Sequence, residues 1–324
     1  MCGLFVLLCR PMRIVSLLPA ATDWLVAFGV ADRIVGRSHA CDAPEVRNVP
    51  VLTRSVVEPA ADSASIDRDV RSALAQGLSL FDVDLDALRA LRPDLVVTQA
   101  QCEVCAVPLV TLESCLSDWT GDAPALVSLE PQTFKQVLDA ALRLGRSADC
   151  LPEAMRVIGA GEARLRALHE RIGRRRDGSL AEGSIPTVVC IEWLEPLMTA
   201  SHWVPNLVDL AGGRAVCAEA GARSEYVAWD AIRVADPDVI AVAACGFTVE
   251  DTRRDLHFLT ERPGWEDLRA VQSGRVFLFD GNAYFNRPGP SLYRAVELLA
   301  AALHTGTGID PERWEMQSLT AIPA

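Results

Sequence analysis

No apolar run in this sequence approaches the ~18 residues that a membrane-crossing helix needs, so a membrane protein is not expected. Positive charge is in deficit: 31 Lys and Arg stand against 43 Asp and Glu, a net charge of -12. That balance argues against nucleic acid as a partner and against an anionic membrane surface, while leaving neutral ligands open. Catalytic signatures are missing as well. There is no Gly-rich loop placed to cradle phosphate and no Ser/His/Asp set on a nucleophile elbow. Glu192 and Glu195 make a carboxylate pair, but nothing near them supplies a nucleophile with its base. The expectation is a protein that is not an enzyme. A secretory leader needs an early positive charge and roughly 7–15 apolar residues before a small-residue cut. Here the run Leu4 to Cys9 is short and Arg10-Pro11 ends it, so residues 1–11 read as an N-terminal extension. The 10 cysteines are irregularly spaced and do not resemble the framework of a small secreted domain. Reduced thiols and a cytoplasmic location are expected.

What the sequence does hold is organised around Thr98-Gln99-Ala100-Gln101-Cys102-Glu103-Val104-Cys105. The apolar run Leu95 to Val97 before it reads as a buried strand, preceded by a helix end and a turn at Arg92-Pro93-Asp94. Polar residues and two thiols thus follow the carboxyl end of a strand, where open α/β sheets bind ligands. Taken in order, Arg13 to Leu18 reads as the first strand and Asp23 to Phe28 as a helix after the turn Pro19 to Thr22. Arg33 to Gly36 is a second strand, and residues 43–64 are expected as loop. Ser65 to Gln76 has helical apolar spacing, and Asp84 caps a helix through Leu91. Leu109 to Leu112 is another expected strand. Thr133 with Gln136 forms a capping-box pattern that starts a helix ending at Gly145. Residues 152–176 form the longest helical stretch, with Met155, Ile158, Leu165, Leu168 and Ile172 on one face. Strands are expected at Thr187 to Ile191, Arg214 to Cys217 and Arg275 to Phe279, with helices at Trp203 to Leu210 and Ser291 to Leu303. The tail after His304 carries no usable pattern.

The segment from Trp229 to Ile240 repeats the segment from Leu85 to Val96. Asp86, Ala87, Arg89, Pro93 and Asp94 align without a gap on Asp230, Ala231, Arg233, Pro237 and Asp238. Two lobes of related topology follow, the first with an insertion around residues 41–80. The expected fold class is α/β: two Rossmann-like lobes with parallel or mixed sheets, joined by a long α-helix, with a ligand cleft between them. The expected boundaries are 12–130 for the N-terminal lobe, 131–184 for connecting helices and 185–324 for the C-terminal lobe with its tail. Strand-end loops would then supply the site: Ser16, Gln99 and Gln101 from the first lobe, and Trp193, His202, Trp203, Phe247, Tyr284, Phe285 and Arg287 from the second. Aromatic walls with a few polar groups suit a large, flat, partly apolar small-molecule ligand better than a small ion.

Arg13-Ile14-Val15-Ser16-Leu17-Leu18-Pro19-Ala20-Ala21-Thr22, followed after the helix by Asp32-Arg33-Ile34-Val35-Gly36, resembles the opening of class III substrate-binding proteins of ABC importers. Within them it is most similar to the cobalamin-binding type, in a branch without a leader. Leu91-Arg92-Pro93-Asp94-Leu95-Val96-Val97 and Val208-Asp209-Leu210-Ala211-Gly212-Gly213 fit the same pattern, and the resemblance spans roughly residues 12–304. It implies a two-lobed binding protein with a rigid helical backbone, a corrinoid such as cobalamin or another metal-chelate as ligand, no catalysis, and an ABC permease as the partner of exported members.

A second function class rests on His39, Cys41, Cys102 and Cys105. Both loops follow expected strands, and three thiolates with one imidazole make a tetrahedral set for zinc or another transition metal. The plainer alternative places Cys41 in the core and leaves the other two thiols free. A third class, a thiol oxidoreductase built on the CxxC, ranks last because no Trp precedes the pair in the thioredoxin manner.

Overall fold

The computed structural model describes residues 10–55, 62–75, 80–99, 119, 122–173 and 185–319. β1 (Ile14–Ser16) leads into α1 (Pro19–Ala27) and β2 (Ile34–Arg37). α1 begins at Pro19 rather than at Asp23, because proline suits the first helical position, where no N–H is needed and φ is already set. Residues 43–64, expected as loop, contain β3 (Thr53–Ser55), and α2 (Ser63–Ala75) follows. β3 pairs antiparallel with β4 (Phe81–Val83) across that helix. α3 (Leu85–Leu91) is capped by the Asp84 carboxylate, which accepts the Ala87 N–H at 2.8 Å. β5 (Leu95–Thr98) and β6 (Ala125–Ser128) complete a four-stranded sheet of order β2-β1-β5-β6, parallel throughout. The strand expected at Leu109 to Leu112 lies outside the described residues. β6 escaped the sequence reading because it is a half-exposed edge strand whose apolar run Ala125 to Val127 is short and ends at Ser128.

α4 (Phe134–Ser147) starts with the expected reciprocal box. Thr133 Oγ1 accepts the Gln136 N–H, and the Gln136 amide oxygen accepts the N–H of Gln132 and of Thr133. The helix runs past Gly145 to Ser147. α5 (Leu151–Arg171) has 21 residues and stops before residue 176, at a turn where Gly173 is left-handed with φ 66°. Its buried stripe is Ala154, Ile158, Gly161, Leu165 and Leu168. Met155, expected on that face, is 60% exposed, since it lies one residue off the i, i+4, i+7 stripe.

The strand–helix pattern then restarts with β7 (Thr187–Trp193), β8 (Met198–Thr199), α6 (Val204–Leu210) and β9 (Arg214–Ala215). α7 (Trp229–Ala235), β10 (Val239–Val242), α8 (Val249–Arg254), α9 (His257–Thr260) and α10 (Arg269–Gln272) follow. β11 (Val276–Phe279), α11 (Gly281–Tyr284), α12 (Leu292–Leu303) and β12 (Met316–Ser318) end the described chain. The sheet order is β12-β11-β10-β7-β8, with β9 parallel to β7. β7, β10 and β11 are mutually parallel, and β12 is an antiparallel edge strand that the tail pattern did not announce. Every residue of β10 is buried, as a central parallel strand requires.

The repeat holds in three dimensions. α3 and α7 both end on a left-handed residue, Arg92 at φ 44° and Asp236 at φ 37°, each followed by proline and aspartate. The Asp94 carboxylate accepts the Arg13 N–H just before β1 at 2.7 Å. The Asp238 carboxylate accepts the Thr187 N–H at the start of β7 at 2.8 Å. In each sheet the strand after this motif lies beside the strand it caps.

Contacts group the chain into two compact units. The first comprises Met1–Val56, Ser79–Leu129 and Arg143–Glu153, and the second Val57–Leu78, Glu130–Leu142 and Ala154–Ala324. The core of the first packs Val15, Leu17, Leu52, Leu88 and Val96. The core of the second packs Val189, Ile191, Ile240, Val242 and Leu278 among others. α2 belongs to the second unit although it interrupts the sequence of the first. There the Asp255 carboxylate accepts the Ser63 N–H at 2.6 Å, Tyr226 donates to Asp67 at 2.9 Å, and Ile66 packs on the core.

Candidate functional site

In the first unit the parallel strands β2, β1 and β5 end at Arg37, Ser16 and Thr98, so the residues that follow share one edge. Ser16 is fully buried; its hydroxyl accepts from Thr22 Oγ1 at 2.8 Å and donates to the Leu18 carbonyl at 3.2 Å. It thereby turns the chain into α1. Gln99 is buried just past β5. His39 donates its backbone N–H to Thr53 Oγ1 at 3.0 Å, and its ring Nδ1 lies 2.7 Å from the same oxygen. Its ring packs on Phe81 with centroids 5.5 Å apart, and burial holds its pKa below the ordinary imidazole value. Cys41 is buried, with its sulfur 3.0 Å from Thr22 Oγ1 and 3.8 Å from the Ser16 carbonyl. Gln101, Cys102 and Cys105 lie outside the described residues. Among the described residues no group of three or more His, Cys, Asp and Glu is placed to hold a metal.

The second unit brings its expected residues together at the carboxyl edge of β7, β10 and β11. Trp193 ends β7, Phe247 follows β10, and Tyr284, Phe285 and Arg287 follow β11. The Trp193 and Phe247 rings meet with centroids 5.4 Å apart and planes inclined at 56°. Phe247 offers its carbonyl to the Asn282 N–H at 3.2 Å, and Arg287 donates to the Asn282 side-chain oxygen at 3.0 Å. Trp203 stands at the N-cap position of α6 and donates its indole N–H to the Phe285 carbonyl at 2.8 Å. Phe285 in turn packs on Phe279, with centroids 5.2 Å apart. His202 precedes Trp203 in a left-handed conformation, φ 51°, and its ring stacks obliquely on that indole. The Gln132 side-chain oxygen lies 2.7 Å from His202 Nδ1, which therefore carries the proton in this pairing. Burial, then the nearby Arg223, lowers the His202 pKa, so the ring is neutral at physiological pH.

Gly281 and Asn282 tie these loops together, and the sequence reading missed both. A Cβ on Gly281 would lie 2.1 Å from the Ala244 carbonyl oxygen and 2.7 Å from the Ala243 carbonyl carbon, so only glycine allows the β11 loop this close to the β10 loop. The Asp280-Gly281 pair directly after a strand was the available clue. Tyr284 is buried and donates to Glu315 at 3.0 Å; burial, then that carboxylate, pushes its phenol pKa up. Glu195, on the turn after β7, pairs with Arg262 at 2.7 Å. Burial corrects part of the expected set: Trp203, Phe247, Tyr284 and Phe285 are all buried, at 7%, 5%, 9% and 1% exposure, because their rings pack into the unit, so Trp193, His202 and Arg287 are the expected residues left partly exposed at this edge. One donor is unspent: Trp193 Nε1 is buried and has no hydrogen-bond partner among the described residues.

A family model described as periplasmic binding protein matches residues 14–283. No curated protein matches the chain. Among solved structures, the chain is similar to a periplasmic heme binding protein from Pseudomonas aeruginosa, at 20% identity and TM-score 0.65, covering 93% of this chain and 95% of that one. It is similar to the periplasmic vitamin B12 binding protein BtuF of Vibrio cholerae, at 19% identity and TM-score 0.63, covering 92% and 98%. An ABC transporter substrate-binding protein from Listeria monocytogenes matches at 18% identity and TM-score 0.66, covering 91% and 99%. Likeness at these identities carries the fold.

Proposed function

This chain belongs to the periplasmic binding protein family, class III, and on that premise we propose that it holds a flat, metal-bearing macrocycle, a corrinoid of the cobalamin type or a heme. The family is one of ligand-binding proteins rather than enzymes, and its members deliver small ligands to ABC permeases. The observation that carries the ligand class is Trp193 at the carboxyl edge of β7: the residue is partly exposed, its ring is backed by buried Phe247, and its indole N–H has no protein acceptor among the described residues. A planar ligand with polar substituents would lie against the Trp193 ring and accept from its N–H. The neighbours named for heme and vitamin B12 support the same class. The thiols support residence in the cytoplasm, where the protein would act as a carrier; an ABC permease is its partner if it is exported.

The test is a visible-band titration of the purified protein with hemin and with cyanocobalamin. One of the two is expected to bind stoichiometrically. Trp193→Phe keeps the ring and removes the donor, and should weaken binding by roughly two- to tenfold, the worth of one hydrogen bond. A wild-type protein that leaves both spectra unchanged refutes the proposal.

A second reading keeps a transition metal on His39, Cys41, Cys102 and Cys105. What favours it is His39, whose Nδ1 is engaged by Thr53, leaving Nε2 as the ligating atom in the manner of an oriented metal-binding histidine. The placement of Cys41 against Thr22 and the Ser16 carbonyl weighs against it.

A further inference from the structure

The tail after α12 returns to the second sheet. β12 runs antiparallel to β11, with Met316 opposite Phe279 at the carboxyl end of β11. The residues just before β12 therefore stand at the same edge as the aromatic loops. The Asp280 N–H donates to the Glu315 carbonyl at 3.0 Å, which fixes the tail to the start of the loop that carries Tyr284 and Phe285.

Glu315 is the anchor. Its carboxylate is buried and accepts from Arg294 Nε at 2.9 Å and Nη2 at 2.6 Å, from the Tyr284 hydroxyl at 3.0 Å, and from the Glu312 N–H at 2.9 Å. Bidentate, charge-assisted bonding of this kind specifies geometry as well as affinity. The guanidinium of Arg294 holds the Glu315 carboxyl down at about 2, so the anchor stays ionised at any working pH.

Trp314 precedes this anchor. Its ring stacks on Tyr284, with centroids 5.9 Å apart and planes inclined at 29°, yet the residue is 58% exposed. One face is spent on Tyr284 and the other is open. Resting on the macrocycle reading above, we propose that Trp314 is a further ligand-contact residue, its open face stacking on the macrocycle at the strand edge where Trp193 is also partly exposed. Tyr284 then acts from behind, backing the indole instead of touching the ligand.

The experiment compares wild type, Trp314→Ala and Trp314→Phe, each titrated with hemin and cyanocobalamin and each melted without ligand. Trp314→Ala is expected to bind about tenfold more weakly, the worth of one lost aromatic stack with its buried area. Trp314→Phe should stay within about threefold of wild type, because it keeps a stacking face. Both variants should melt with wild type, since much of the ring faces solvent. If wild type binds and Trp314→Ala binds equally well, the assignment of Trp314 is overturned while the macrocycle reading stands. If both variants lose affinity together with thermal stability, Trp314 is structural and the assignment is likewise overturned. If wild type binds neither probe, the macrocycle reading fails and this one with it.

Discussion

Two glycines in α5 should respond oppositely to the same substitution. Glycine in a helix interior costs ~0.5–1 kcal/mol relative to alanine, so Gly159→Ala and Gly161→Ala gain alike from propensity. At Gly159 the new Cβ would meet nothing within 4 Å, and the gain is kept. At Gly161 it would lie 2.2 Å from Cε2 and Cζ of Tyr293 and 2.6 Å from Cδ2. Carbon atoms rest ~3.5–4.0 Å apart, so the ring would have to retreat by more than an ångström. It has little room: Tyr293 is 3% exposed, the edge of Phe134 meets it at 5.7 Å, and its hydroxyl reaches the Ile158 carbonyl at 3.4 Å. Overpacking of this kind costs ~1–3 kcal/mol. Loss of the hydroxyl contact adds about 1 kcal/mol. After the propensity gain, a net loss of ~1–3 kcal/mol remains for Gly161→Ala. At ~2–4 °C per kcal/mol for a unit of this size, Gly159→Ala should melt a few degrees above wild type and Gly161→Ala ~3–10 °C below it. Tyr293→Leu in the Gly161→Ala background should recover part of the loss. A Gly161→Ala protein as stable as Gly159→Ala would refute the account of how α5 meets α12.

Two further outcomes follow from the carboxylates. Because Arg294 depresses the Glu315 pKa from its ordinary 4.5 to about 2, the stability it adds is complete above pH 4.5 and fades as pH falls toward 2. Melting curves across that window should fall more steeply for wild type than for Glu315→Gln, and parallel curves would refute the assignment. Asp238→Ala should cost ~1.5–3 kcal/mol in urea unfolding, the worth of bonds to a charged group, since its carboxylate accepts from the Thr187 N–H and hydroxyl as well as from Arg269. Asp94→Ala should cost less, because beyond the Arg13 N–H its partner is the exposed Arg10; equal costs would show that the repeat's two aspartates work alike.

The repeat was legible because everything that makes it is local. A helix stop before proline, followed by an aspartate that caps a neighbouring strand, is written in consecutive residues, and Asp94 and Asp238 perform it in both units. β3, β6 and β12 left no comparable trace. They lie at edges or in a two-stranded pair and stay partly exposed, so, unlike the equally short β1 and β5, they carry no fully buried run. Side-chain direction was the other blind point. Spacing puts Ser16 and Cys41 after strands, as observed, but cannot show that both turn toward Thr22. Nor does a chain-order reading reveal that Met155 stands one position off the stripe that Ala154 occupies.

That the second-unit loops meet at one edge was legible because parallel strands bring all their carboxyl ends to one side, whatever the loops contain, but which of their rings turn inward was not. The rigidity of the edge was not legible either, since that rests on contacts between loops distant in sequence. Gly281 lets the β11 loop lie directly on the β10 loop, the Asn282 N–H closes on Phe247, and the Trp203 indole closes on the Phe285 carbonyl. The rings these loops carry, Phe247, Trp203 and Phe285, are themselves buried, and Trp193 is left partly exposed beside them. Ordering side chains on binding costs ~0.5–1.5 kcal/mol apiece, so rings already held in place give up less when a ligand arrives. If the proposed binding occurs at this edge, the loops that carry Trp193 and Arg287 should keep their backbone contacts on binding, and a change in those contacts would count against it.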